Sequence, residues 1–307
     1  MPIGRLALLA LAAWQPPNPA KCLLGQGITA AQANQGLCGF DAATLRFTGT
    51  PADQARCLTR HVGRGGTIGG PQLPAHLAQL IGLALPFAPE RVAAYVQALG
   101  LTDRQLGGPL SRPLAADYFI IHDTSSPNCS QLDDQHEKLS ECDRLDAFPA
   151  DRDKRSWSGN QTFEGRPKQA PNRAANVFTN RVGNSVTEVD FADPFYTTKF
   201  EQCANEGRAI GHFVGIENIQ PRLPSPVPPP SRERMNDLDA PDPGFTDPQY
   251  ARLALLYIVA STRHGRWLIP AYHAVVDSLY LDRHDDPQKF DVGRFDAAIA
   301  AHLKAMR

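Results

Sequence analysis

Two short runs, Tyr118-Phe119-Ile120-Ile121 and Phe213-Val214-Gly215-Ile216, are apolar or glycine at every position rather than at alternate ones, and each stops on a titratable side chain, His122 or Glu217. A strand without a polar face belongs in the interior of a sheet, so each run is read as a buried strand that delivers one polar group to the sheet edge. The segments 177–180 and 185–191 flank Arg181-Val182-Gly183-Asn184, which reads as a hairpin connection. At Thr246-Asp247-Pro248-Gln249 a capping box with an early proline starts a helix. Its body, 250–263, is apolar at 250, 253, 254, 257 and 258 and also at 255, 256 and 259, the pattern of a helix packed on more than one side. A closing helix is expected over 294–306. Strands interleaved with helices make 115–307 an α/β (α+β) segment, a central mixed β-sheet flanked by helices.

The 307 residues allow one large domain or two modest ones. With 31 basic against 32 acidic residues, no global field draws the chain to nucleic acid or to an anionic membrane, and no nucleic-acid partner is expected. Arg5, the apolar run 6–13 and the small residues of Ala10-Leu11-Ala12 read as a secretory signal peptide over 1–13, the alternative being an N-terminal helix of the fold. No other run approaches the ~20 apolar residues of a membrane span. Six cysteines, an even count behind such a signal, favour disulfides and a periplasmic or secreted bacterial protein. Cys38 with Cys57 and Cys129 with Cys142 are the expected closures, which leaves Cys22 with Cys203. Residues 22–110 read as a helical N-terminal region of unknown role, with helix starts at Thr50-Pro51, Pro74 and Pro89. Between them, the glycines of 64–70 fit no phosphate-binding spacing and read as a flexible connector. The stretch 128–175 and the proline-rich 220s read as insertions, the latter an exposed extended loop.

Among nine histidines, His122 and His273 each end an apolar run, and Asp286 lies in the turn Arg283-His284-Asp285-Asp286-Pro287. Two imidazoles and one carboxylate leave a fourth tetrahedral position open, which is how catalytic zinc sites are built. Spacing alone fits three unrelated loop residues equally well, and Asp285 or His284 could replace Asp286 as third ligand.

Taken in order, Ile120-Ile121-His122-Asp123-Thr124-Ser125-Ser126, then Val177-Phe178-Thr179-Asn180-Arg181-Val182-Gly183, Val214-Gly215-Ile216-Glu217-Asn218, Phe245-Thr246-Asp247-Pro248-Gln249-Tyr250, and His273 with Asp286-Pro287 and Phe290-Asp291, resemble the type 2 N-acetylmuramoyl-L-alanine amidases. The likeness covers roughly 115–305. It implies an amidase type 2, peptidoglycan recognition protein-like fold that holds zinc (Zn2+) through His122, His273 and Asp286. It also implies a peptidoglycan or muropeptide substrate, cut between N-acetylmuramic acid and L-alanine, with Glu217 as the catalytic proton carrier. Two positions and one spacing depart from the pattern. His284 stands where cytoplasmic members often carry an oxyanion-stabilising lysine, Asn176 stands where many have a histidine, and thirteen residues separate His273 from Asp286. Two rival readings are a non-catalytic peptidoglycan-binding module and a serine hydrolase using Ser125 or Ser185. The presence of all three ligand types and the glutamate favours the enzyme, and no G-x-S-x-G elbow surrounds either serine.

Overall fold

The computed structural model describes residues 22–125, 175–222, 239–242, 244–281 and 283–307. The signal over 1–13, the Cys129 with Cys142 pairing, Ser126 and nearly all of the two insertions lie outside these residues. The N-terminal region runs α1 (Ala30–Gln35), β1 (Phe40–Asp41), β2 (Arg46–Phe47), α2 (Pro51–Leu58), β3 (Arg60–Gly63), β4 (Thr67–Pro71), α3 (Ala75–Leu80) and α4 (Pro89–Ala98). The helix starts at Pro51 and Pro89 fall where the prolines place them, and Thr50 closes a capping box with Asp53.

The region is not purely helical. Strands β1 and β2 pair antiparallel, as do β3 and β4, so the glycines of 64–70 form the turn and second strand of a hairpin rather than a connector. Gly65 and Gly66 take φ of 65° and 69°, values that favour glycine in a tight turn. The tip lies against the loop of residues 283–285, where a Cβ on Gly66 would stand 3.3 Å from the His284 carbonyl oxygen.

Beyond it come β5 (Tyr118–Asp123), β6 (Val177–Thr179), β7 (Ser185–Thr187), α5 (Lys199–Cys203), β8 (Phe213–Asn218), α6 (Asp247–His264), β9 (Ile269–Tyr272), α7 (His273–Val276) and α8 (Val292–Ala305). The strands form one mixed sheet in the order β7-β6-β8-β5-β9, antiparallel only between β6 and β7. The fully apolar runs occupy the two inner strands β8 and β5, whereas β9, which contains Pro270, is an edge strand where the missing N–H costs no ladder bond. Helix α6 keeps its Thr246–Gln249 capping box and ends on Gly265 in the left-handed conformation. Helix α8 begins at Val292, two residues before the expected start, because Asp291 accepts hydrogen bonds from the Gly293 and Arg294 amides and caps it.

Alternation along β5 assigns its faces. Phe119 meets Tyr257 of α6, ring centroids 5.2 Å apart, so residues 119, 121 and 123 face the long helix. Tyr118 stacks on Phe213 at 4.7 Å and meets Phe47 of β2 at 5.3 Å, so 118, 120 and 122 face the N-terminal region. Phe40, Phe47, Leu58, Leu77 and Val96 belong to the same buried cluster as Tyr118 and Phe213, a continuous core across both parts of the chain. Disulfides Cys38–Cys57 and Cys22–Cys203 close within and across them.

Candidate metal centre

Parallel pairing brings the polar strand ends together. His122 of β5 stands opposite Glu217 of β8, and Ile121 stands opposite Tyr272 of β9, so His273 follows one step on at the same level. Equivalent positions on adjacent strands share a face, and the carboxyl ends of parallel strands form a crevice suited to ligands. Gly215 lets this happen, because Thr197, which leads into α5, crosses the strand so closely that a Cβ would approach its side chain to 2.6 Å. Asp286 arrives from the loop before α8, tied down where the Ala274 amide donates to its carbonyl oxygen and the Asp123 amide to its carboxylate.

His122, His273 and Asp286 are all buried, and one donor atom from each lies within 4.8 Å of the others. His273 Nδ1 is 2.9 Å from Asp286 Oδ1, and His122 Nδ1 is 3.5 Å from Asp286 Oδ2. Both ring nitrogens of His122 are buried without a hydrogen-bond partner, a cost of about 1–3 kcal/mol per group unless something lies there to meet it. Imidazole lone pairs and a carboxylate at this spacing could hold a metal ion. Burial holds His122 below the usual imidazole range, reinforced by the charge on His273. Burial also acts to lower His273, but Asp286 and Asp277 outweigh it and raise that ring well above its ordinary value. In Asp286, burial is outweighed by the charge on His273 and by the neighbouring His122 ring, and the carboxyl falls well below the usual range.

Glu217 Oε2 is buried with no hydrogen-bond partner, and burial followed by the nearby Asp286 charge pushes its carboxyl well above the usual range. His284 lies beside the three, 4.8 Å from His273 between ring centroids, with Nδ1 3.7 Å from Asp286. Burial and the His273 charge push it down to about 4, so it is neutral at pH 7 and donates only from a single N–H. Asp285 turns away: it accepts from Gln288 and lies 3.6 Å from Arg222 Nη2, which leaves Asp286 in the cluster. Asn176 is spent on the sheet, its Oδ1 accepting from the Gly215 amide at 2.8 Å. Neither candidate serine pairs with a histidine: Ser185 Oγ donates to the Gln105 carbonyl and Ser125 Oγ to Asp123.

Two members of the site escape a reading of the sequence. Asp277 Oδ2 lies 2.9 Å from His273 Nε2, one helical turn further along the chain. Arg222, fully buried, donates to Asp123 at 2.6 Å behind the cluster. Spacing of four residues from His273 was the only available signal for the first, and the second had none. In comparison with known proteins, no family model, no curated protein and no solved structure matches the chain.

Proposed function

We propose that the protein is a secreted or periplasmic zinc hydrolase of the type 2 amidase kind, which cuts the amide bond between N-acetylmuramic acid and L-alanine in peptidoglycan. The observation that carries this reading is the convergence of His122, Glu217 and His273 at one level of three neighbouring parallel strands, with Asp286 completing the set. The ordered motifs around those four residues resemble the amidase pattern, and two disulfides suit an oxidising compartment. His122, His273 and Asp286 would hold the ion. Zinc bound there would supply Lewis-acid chemistry, acidifying a water and polarising an amide carbonyl.

The chain's own groups do the rest. Glu217 presents a buried oxygen with no internal partner on the face that carries the ligands, so Oε2 is free to accept a proton from water and return it to the leaving amine. Its raised carboxyl favours holding that proton between the two transfers. His284, neutral and partly exposed at the rim, can donate one hydrogen bond toward a developing negative charge. The β3–β4 hairpin backs the loop that carries His284 and Asp286.

Digestion of purified peptidoglycan tests the reading. Stem peptides with a free L-alanine amine are expected, with release abolished by a chelator and restored by zinc. A protein that holds zinc and binds peptidoglycan yet releases no peptide is a binding module instead.

A further inference from the structure

His273 differs from His122 in having both ring nitrogens engaged. Nδ1 faces Asp286 at 2.9 Å, and Nε2 faces Asp277 Oδ2 at 2.9 Å. Asp277 is fully buried and cannot turn to solvent. The Lys199 amide donates to its Oδ2 and the Phe200 amide to its Oδ1, each at 2.9 Å, so two successive amides at the start of α5 hold both carboxylate oxygens. An oxygen already receiving a backbone N–H and aimed at an imidazole nitrogen can only accept from that ring, because a carboxylate has no proton to give.

We propose that Asp277 is a positioning residue for the metal: by accepting the Nε2 proton of His273 it reserves Nδ1 for the ion and fixes the ring plane. The inference rests on the reading that His122, His273 and Asp286 hold a metal, and adds what orients one of them. A ligating histidine commonly donates its second N–H to a carboxylate or carbonyl, and loss of such a partner typically costs 10–100-fold in metal affinity. Among the described residues His122 has no hydrogen-bonding partner at either ring nitrogen, so His273 is the one imidazole of the pair whose binding nitrogen is set by the protein.

Zinc affinity of the full chain, read by competition with a chromophoric chelator, tests this without reference to turnover. Asp277→Asn keeps the size of the side chain but not its charge, and offers one acceptor oxygen where three donors need two. The expected result is zinc binding weaker by about 10–100-fold with an unchanged near-ultraviolet circular dichroism spectrum. Affinity within about twofold of wild type in a folded variant overturns the proposal. Should that variant fail to fold, nitrogen-15 spectra of the zinc-loaded wild type decide: a proton on His273 Nε2 with Nδ1 coordinated supports the assignment, and coordination through Nε2 overturns it. Wild-type protein that takes up no zinc overturns the metal centre itself, an outcome read before any substitution is made.

Discussion

Strand β5 has a buried carboxylate beside each of its ends, and the two are answered differently. Just before its start, Asp117 receives two hydrogen bonds from Arg46, at 2.8 and 3.2 Å, and has His212 and His264 each at 3.8 Å. Burial there acts to raise its carboxyl, but the neighbouring His212 ring and the charges of Arg46 and His264 outweigh it, and Asp117 stays below the usual range. One acid meets three bases, all reached by water. At the far end Asp123, Asp277, Asp285 and Asp286 are all buried, and among the described residues the buried Arg222 guanidinium and the histidines stand against them. Positive charge is short there among the described residues: burial pushes Asp285 up to about 7 and raises Asp123, while Asp286 and Asp277 raise His273. An excess of buried anions beside an imidazole with no partner is the environment a cation would complete.

The largest expected effect breaks the metal end outright. His122→Ala removes one of three donors and should leave the purified protein without stoichiometric zinc, whereas an unchanged metal content would mean the two ends of β5 do not differ as argued. In the wild type, zinc must displace the His273 proton, so binding at pH 7 should release protons and strengthen as pH rises. Calorimetry in buffers of different ionisation enthalpy reads this directly, and zero proton release would contradict it.

Next in size is Arg222→Met. It leaves Asp123 and Asp285 buried with no cation, and breaking a buried pair in this way costs about 3–5 kcal/mol. Chemical denaturation should show that loss. A change below about 1 kcal/mol would mean that the carboxylates of this end are already neutralised by protons. Glu217→Gln follows, with turnover on peptidoglycan expected to fall at least ~10²-fold while zinc content holds, because only the proton-carrying oxygen is removed. Near-normal turnover places the proton carrier elsewhere.

The same contrast governs how much could be read from the sequence. His122 and Glu217 stand out because an apolar run stops on them, and parallel register then does the rest without any side-chain signal. The capping box at Thr246 and the nearby cysteines Cys38 and Cys57 are local features, and they fold as local rules require. The hairpin of 60–71 was hidden because glycines carry no polarity pattern, so a tight turn and a flexible connector look alike. Arg222 reaches its partner Asp123 across 99 residues, and Cys22 joins Cys203 across 181, distances over which composition and periodicity say nothing. Asp286 and Asp285 are adjacent and chemically identical, so only the backbone direction in the loop could choose between them.

The smallest effect belongs to the start of β5. Arg46→Ala removes the two-pronged partner of Asp117, but the guanidinium side chain is 57% exposed and solvent screens its charge, so the loss should be about 1 kcal/mol rather than the larger value at Arg222. Its pH dependence has a definite sign. Asp117 titrates lower in the folded protein than in the unfolded chain, so its contribution is complete above pH ~4 and disappears as the pH falls through its folded value. Removing Arg46 brings the folded value closer to the unfolded one, and the difference in stability between wild type and variant should shrink toward zero in acid. Zinc affinity should not move, because Arg46 sits at the opposite end of the strand from His122. Unfolding curves at pH 7 and pH 3, with a zinc titration at pH 7, check all three statements. A fall in zinc affinity in this variant would show that the two ends are coupled through β5 rather than independent.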